Sequence, residues 1–294
     1  MIALKSVFVG PGGVRAGWRF AAFFALWFAG DYVVGFVLNR VYTFSESGFT
    51  PADILLYKLA DATYLLLASV LLVRLEKHRT SWFGLGFARG SARLFGAGCV
   101  WGFAIVTLVV GAGWATGYIR FDGLAVHGAE LWKYLALWLA GMFMVGLDEE
   151  LQFRGYAMAS LTRGIGFWPT AAFLSLAFGA EHLSKPMENV PDILNIVLLG
   201  LFLAYSVRRT GNLWFAIGFH ASFDFFALAF YASPNTGTGG VPLEHHLLDA
   251  HVDGPAWLTG GPQGFEASWL TTLLALAMFL LLRRVYPRNA YPTD

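Results

Sequence analysis

Residues 134–162 read YLALWLAGMFMVGLDEELQFRGYAMASLT. It is apolar over a length that can cross the hydrocarbon of a bilayer, for which roughly 20 residues suffice. The same stretch carries Asp148, Glu149, Glu150 and Arg154. Charged side chains inside a bilayer are costly and rare, and they usually mark a functional site. The stretch therefore predicts a membrane-spanning helix with polar chemistry inside it.

The composition of the whole chain supports a membrane protein. Of the 294 residues, 57% are hydrophobic and only 13% are charged, whereas a soluble chain is about 25% charged. The net charge is +1 and no run of basic residues occurs, so we expect no nucleic-acid partner. The single cysteine, Cys99, excludes an internal disulfide framework and a cysteine-rich metal site.

Continuous apolar segments recur along the chain and predict an all-α fold, a polytopic membrane helical bundle of about eight transmembrane helices. The segments lie at 17–39, 54–73, 94–118, 134–162, 167–184, 191–207, 212–230 and 267–284. A membrane β-barrel would instead show alternating segments of about ten residues. No internal repeat divides the sequence, so we expect a single membrane domain over 1–294.

The basic residues predict the orientation of the bundle. With the N-terminus in the cytoplasm, the outer loops contain only Arg40, Arg120 and Lys185, and the longest loop, 231–266, contains no Lys or Arg. Most of the other basic residues then fall in cytoplasmic loops, as the positive-inside rule requires. We therefore expect both termini in the cytoplasm, and the loop pattern favours a bacterial inner (plasma) membrane.

Polar residues at membrane depth concentrate in three clusters, at 147–154, 178–182 and 220–224. At 1.5 Å per residue, each cluster lies about 18 to 22 Å from the cytoplasmic end of its helix. Clusters at a similar depth on three helices predict a single buried polar site.

The spacing within the clusters predicts specific pairs. Glu150 and Arg154 are four residues apart with the acid first, the favourable order for a helical ion pair. Glu149 is rotated by about 100° from Glu150, so it can face elsewhere. His220 and Asp224 are also four residues apart and share one helix face.

Other ionisable residues have simpler interpretations. Lys58 and Asp61 are three residues apart in the second segment, and we expect them to neutralise each other. The histidines of the acidic stretch 244–253 are expected to belong to a solvated loop rather than to a metal site.

At these residues the sequence resembles a known family. Glu149-Glu150-x-x-x-Arg154, Phe178-x-x-x-His182 and His220-x-x-x-Asp224 are similar to the three motifs of the CPBP family, which includes CAAX-type prenyl endopeptidases and bacterial Abi-like proteins. The resemblance covers roughly residues 130–230. Asp224 stands where the family usually has Asn, and an ionised Asp cannot donate a hydrogen bond.

The resemblance implies an intramembrane endopeptidase, labelled a metalloprotease in this family. Glu149 would activate the attacking water, and Glu150 with Arg154 would hold Glu149 in place. His182 would bind or orient the water, and His220 with Asp224 would stabilise the oxyanion or complete a metal site. Glu149, His182 and His220 form an acceptable set of Zn²⁺ ligands, although a metal-free mechanism using glutamate and histidine remains open.

Two other classes of function also remain open. Buried carboxylates and histidines suit a membrane transporter or proton-coupled carrier, although the sequence lacks the internal repeats common in carriers. A non-catalytic membrane scaffold or immunity protein is the second alternative. For the endopeptidase, the expected surroundings are membrane lipid and the expected substrate is a membrane-associated peptide or protein.

Overall fold

A computed structural model describes residues 7–11, 13–185 and 187–291. It is 72% helical, and its main elements in the described ranges are nine helices. These are α1 (Ala16–Val41), α2 (Pro51–Leu75), α3 (Ser91–Ala115), α4 (Gly128–Arg154), α5 (Tyr156–Ile165), α6 (Phe167–His182), α7 (Val190–Thr210), α8 (Trp214–Asp224) and α9 (Trp269–Val285). The predicted polytopic helical bundle is confirmed.

The helices differ in whether they could cross a membrane alone. Among the described residues, five helical stretches are long and apolar enough: α1, α2, α3, the α4–α5 pair and α7. The other three predicted segments also form helices, but shorter ones. Helix α6 has 16 residues and α9 has 17, and α8 continues as a π-helix over Phe225–Phe230.

The fourth predicted segment is not one straight helix, because it breaks at Gly155. The backbone of Gly155 leaves the helical region at φ −79° and ψ −123°. A Cβ at this position would lie 2.4 Å from the carbonyl oxygen of Leu151, so only glycine fits the turn. Arg154 is therefore the last residue of α4, and α5 continues the segment to Ile165.

Local capping fixes where two of the long helices begin. Thr50 and Asp53 form a reciprocal capping box at the start of α2, with Pro51 in its first turn. Asn189 accepts a hydrogen bond from the backbone N–H of Asp192 at 3.0 Å and so caps α7. Both caps satisfy backbone donors that a helix end leaves without partners.

Glycine allows α8 to pack closely against two other helices. A Cβ at Gly98 of α3 would lie 2.1 Å from the carbonyl oxygen of Phe215, and one at Gly102 would lie 2.4 Å from that of Phe219. On α4, a Cβ at Gly146 would lie 2.9 Å from the backbone nitrogen of Ala221. Small residues let membrane helices approach this closely. The α4–α8 contact brings the acidic cluster of α4 beside His220.

The long loop 231–266 is more structured than the sequence indicates. Strand β3 (Ile119–Leu124), which precedes α4, pairs antiparallel with strand β4 (Leu248–Val252) from this loop. A second pair, β1 (Val9–Gly10) and β2 (Gly13–Val14), lies near the N-terminus. In the loop, His245 stacks on Tyr134 of α4 at 4.1 Å between ring centroids. The loop is thereby fixed over one end of the bundle.

Candidate active site

The ion pair predicted between Glu150 and Arg154 is present. Arg154 Nη1 lies 3.1 Å from Glu150 Oε1, and both side chains are buried. The guanidinium of Arg154 also lies 4.6 Å from the ring centroid of Phe178 on α6. A cation at the last turn of a helix interacts favourably with the helix dipole. The pair ties the end of α4 to α6 and holds Glu150 in a fixed position.

His220 on α8 faces three carboxylates. Its Nδ1 lies 3.0 Å from Glu150 Oε1. Its Nε2 lies 3.5 Å from Glu149 Oε2 and 3.5 Å from Asp224 Oδ2. The Nδ1 contact is a hydrogen bond, whereas the two contacts of Nε2 are ion-pair distances. The structure therefore brings the first and third clusters together around one imidazole.

Lys58 of α2 is part of the same network. Its Nζ lies 2.7 Å from Asp148 Oδ2 and 3.1 Å from Glu149 Oε1. The expected pairing of Lys58 with Asp61 is therefore wrong, because α2 packs against α4 and offers Lys58 two closer carboxylates. The side chain of Asp61 is buried in α2. Lys58 and Asp148 were not predicted as site residues. Both are charged residues within apolar segments, however, and such residues usually belong to a functional site.

His182 is the last residue of α6 and lies at the edge of the cluster. Its Nδ1 is 2.9 Å from the carbonyl oxygen of Phe178, and its ring packs edge-on against the Phe178 ring at 4.9 Å. A carbonyl oxygen can only accept, so Nδ1 carries the proton, and in the neutral ring Nε2 keeps its lone pair. His182 shares the cavity wall described below with Glu149 and His220.

Asp224 occupies the point where α8 changes its helical geometry. The α-helix ends at Asp224, and Phe225–Phe230 continue as a π-helix. Such local widening of a helix is rare and is frequently found at functional sites. The side chain of Asp224 is 15% exposed and faces the His220 ring.

A cavity of about 580 Å³ lies against the cluster. Glu149, His182, His220, Asp224 and Lys58 all form part of its wall, whereas the Glu150–Arg154 pair lies behind it. The wall also has an apolar part, formed by Met142, Val145, Ile196, Leu199, Phe219 and Phe223. The site thus combines a few polar groups with an apolar chamber, as ligand sites commonly do.

Loop residues also form part of the cavity wall. Phe44 and Phe49 come from the α1–α2 connection, and Asn235 and Glu266 come from the loop after the π-helix. Burial raises the pKa of Glu266 to about 7, although Lys185 opposes this shift. This part of the cavity wall therefore changes its charge close to neutral pH.

The three residues predicted as zinc ligands, Glu149, His182 and His220, all form part of the cavity wall. Glu149 Oε1 is bonded to the Lys58 ammonium, and His220 Nδ1 is bonded to Glu150. Across 7–11, 13–185 and 187–291, no three or more His, Cys, Asp or Glu side chains form a group that could hold a metal ion. Zinc binding stays a sequence-based prediction.

Comparison with known families supports the resemblance seen in the motifs. Residues 131–226 match the family described as Type II CAAX prenyl endopeptidase Rce1-like. The matched region contains the three motifs, and it confirms the resemblance to the CPBP and CAAX-protease family. A comparison with curated proteins finds no match. The match and the apolar helices together indicate an integral membrane protein in which residues 131–226 are similar to CAAX prenyl endopeptidases. Lys58 lies outside the matched region.

Proposed function

We propose that the protein is an intramembrane endopeptidase that hydrolyses a peptide bond of a membrane-associated peptide or protein. The observation that carries the proposal is the position of Glu149. One of its oxygens lies 3.5 Å from His220 Nε2, and both residues form part of the wall of a cavity large enough for a peptide segment. The family match over 131–226 supports the same reaction class.

Glu149 is the proposed general base. In the proposed mechanism, a water molecule binds between Glu149 Oε2 and His182 Nε2. The Nε2 atom of His182 accepts a hydrogen bond from this water. Glu149 takes one proton as the water oxygen attacks the carbonyl carbon of the peptide bond. When the carbon–nitrogen bond breaks, the same proton passes to the leaving amine. The products are a new carboxyl terminus and a new amino terminus.

His220 is the proposed oxyanion donor. Its Nε2–H is placed beside Glu149 and can donate to the negative oxygen that forms in the tetrahedral intermediate. The Asp224 carboxylate lies 3.5 Å from the same nitrogen. Its proposed role is to stabilise the positively charged ring, which requires no hydrogen-bond donation to the oxyanion. Glu150 and Arg154 do not form part of the cavity wall, so their role is to hold His220 and the end of α4.

The proposed substrate is an apolar segment presented from the membrane. The cavity wall contains aliphatic and aromatic side chains around the polar cluster, and such a surface favours apolar residues on both sides of the scissile bond. Zinc and prenylated substrates remain proposals carried by the family resemblance. A chelator that abolishes cleavage, with recovery on adding Zn²⁺, would support the zinc proposal.

The proposed orientation places both termini in the cytoplasm of a bacterial inner membrane. In that orientation, the loops that close the cavity, 42–50 and 231–266, face the outer compartment. Cleavage would then occur toward the outer half of the bilayer.

The proposal is tested by comparing the termini of membrane proteins in cells that express the native chain, Glu149→Gln or Glu130→Gln at equal levels. Glu130 is an exposed glutamate in the first turn of α4 and serves as a matched control. Termini that occur with the native chain and the control, but not with Glu149→Gln, support proteolysis and identify the substrate. Identical termini in all three across growth conditions contradict it.

A proton-coupled carrier is the second candidate function. The buried carboxyl groups of Asp61 and Asp148 favour this function, because Lys58 is near them and all three residues lie outside the three motifs. A carrier would lose transport in the Glu149→Gln variant with no change in protein termini. A scaffold or immunity protein would keep its phenotype in that variant.

A further inference from the structure

We propose that Lys58 is a positioning residue for the general base, and this inference rests on the proposed endopeptidase function. Its ammonium binds Glu149 Oε1 at 3.1 Å, while the other carboxylate oxygen, Oε2, lies 3.5 Å from His220 Nε2. Lys58 therefore holds one oxygen of the base and leaves the other to meet water and His220. Lys58 comes from α2, outside the region 131–226 that matches the family.

Lys58 is itself held in place. Asp148 Oδ2 accepts from the Lys58 ammonium at 2.7 Å, and Asp148 is fully buried on the same helix as Glu149. The side chain of Lys58 is only 23% exposed and borders the cavity. An ammonium bonded to two neighbouring carboxylates loses most of its freedom to rotate. It can therefore fix the carboxylate plane of Glu149 rather than merely lie near it.

This restraint has a catalytic consequence. Glu149 is on α4 and its partner His220 is on α8, so the relative position of the base and the oxyanion donor depends on side-chain orientation as well as on helix packing. A misplacement of about 1 Å in a reacting group can cost about 10²-fold in rate. Second-layer contacts that lock a catalytic side chain prevent such a loss.

A purely structural role is the competing explanation. Lys58 could do no more than neutralise Asp148 and Glu149 inside the bundle, since a buried charge without a partner destabilises a protein. The two roles differ in what happens when the lysine and one carboxylate are removed together. The pair Lys58→Met and Asp148→Asn removes one positive and one negative charge, so it restores the charge balance without restoring the contact to Glu149.

The experiment measures thermal unfolding in detergent and cleavage of the identified substrate in liposomes for Lys58→Met, Lys58→Arg and Lys58→Met/Asp148→Asn. Lys133→Met is the matched control, because Lys133 is exposed on α4 and remote from the cluster. We expect Lys58→Met to lower both the unfolding temperature and kcat. In the double variant the unfolding temperature should recover, while kcat stays about 10²-fold below native with KM unchanged.

The Arg variant tests the contact directly. Lys58→Arg keeps a cation that can donate to Glu149, so it should recover more of kcat than the double variant does. Native cleavage by Lys58→Met, or recovery of kcat together with stability in the double variant, overturns the positioning role. If neither the native chain nor Lys133→Met cleaves the substrate, the result counts against the proposed endopeptidase function itself. This outcome is seen before any Lys58 variant is compared, so it is distinct from failure of the positioning role.

Discussion

Asp224 shows how a single departure from a family motif can be accommodated. Its carboxylate lies 3.5 Å from His220 Nε2, an ion-pair distance, so its proposed role is to pair with the ring rather than to donate to substrate. An Asn at this position could accept through its carbonyl oxygen and also donate through its amide. Both residues can therefore hold His220, and only Asn can add a donor.

This difference gives a prediction for two substitutions. Asp224→Asn should keep kcat within about fivefold of native, the equivalent of about 1 kcal/mol, because an acceptor for His220 remains. Asp224→Ala removes the acceptor and should lower kcat by more than that. Both are measured as kcat on the cleaved substrate in liposomes. Equal activity of the Ala variant and the native chain would show that Asp224 does not orient His220.

Glu150 and Arg154 illustrate the cost of a buried charge. Both are almost completely buried and are joined at 3.1 Å. Arg154→Gln should lower the free energy of unfolding by about 3–5 kcal/mol, because it leaves Glu150 without its cation. Removing both charges, in Glu150→Gln/Arg154→Gln, should cost less than the Arg154 change alone.

Unfolding of these variants in detergent checks that prediction. Arg74→Gln, on the exposed end of α2, is the matched control and should stay close to native. A double variant that is less stable than the Arg154 single variant would mean that the pair is not the main interaction of either residue.

At the scale of the helices, the packing of α4 against α8 assembles the site. Gly146 stands opposite Ile217 and Ala221, and a side chain there would meet the backbone of α8. Gly155 then ends α4 directly after Arg154. The site is therefore built where one helix approaches another closely and stops.

A methyl group at Gly146 should separate the two helices. Gly146→Ala places its Cβ 2.9 Å from the Ala221 nitrogen, and overpacking of this kind costs about 1–3 kcal/mol. Cleavage should fall with stability, because Glu149 and Glu150 move away from His220. Gly111→Ala on α3 is the control, since no atom lies within 4 Å of its new Cβ. A Gly146→Ala variant as stable as the control would contradict this account of the α4–α8 contact.

The helices and the local pairs could be predicted from the sequence, but contacts between distant segments could not. Glu150–Arg154 and His220–Asp224 follow from helical periodicity, which operates over four residues. Lys58 was assigned to Asp61 by the same local rule, and tertiary packing overrode it by offering Asp148 and Glu149. The turn at Gly155 was missed because the apolar pattern continues across it, and the pairing of β3 with β4 joins segments more than a hundred residues apart.

At the scale of the whole molecule, the cavity is closed by two loops at one end of the bundle. The α1–α2 connection contributes Phe44 and Phe49, and the segment after the π-helix contributes Asn235 and Glu266. The side of the membrane that these loops face determines where products are released. The distribution of basic residues predicts the outer side.

Cysteine labelling in intact cells tests this orientation. Cys99 is first replaced by Ser, and single cysteines are then introduced as Glu46→Cys in the α1–α2 connection or Arg79→Cys in the α2–α3 connection; both positions are exposed. A membrane-impermeant thiol reagent should label position 46 and leave position 79 unlabelled until the cells are opened. The reverse pattern would invert the proposed topology and place the cavity mouth on the cytoplasmic side.

The central claim is hydrolysis of a peptide bond by water activated at Glu149. It is tested most directly with the purified chain in liposomes, its substrate and ¹⁸O-labelled water, by mass spectrometry of the products. The account predicts a new carboxyl terminus that carries ¹⁸O with the native chain and with Glu130→Gln, and none with Glu149→Gln. The same labelled product from Glu149→Gln, or no product from the native chain, would contradict it.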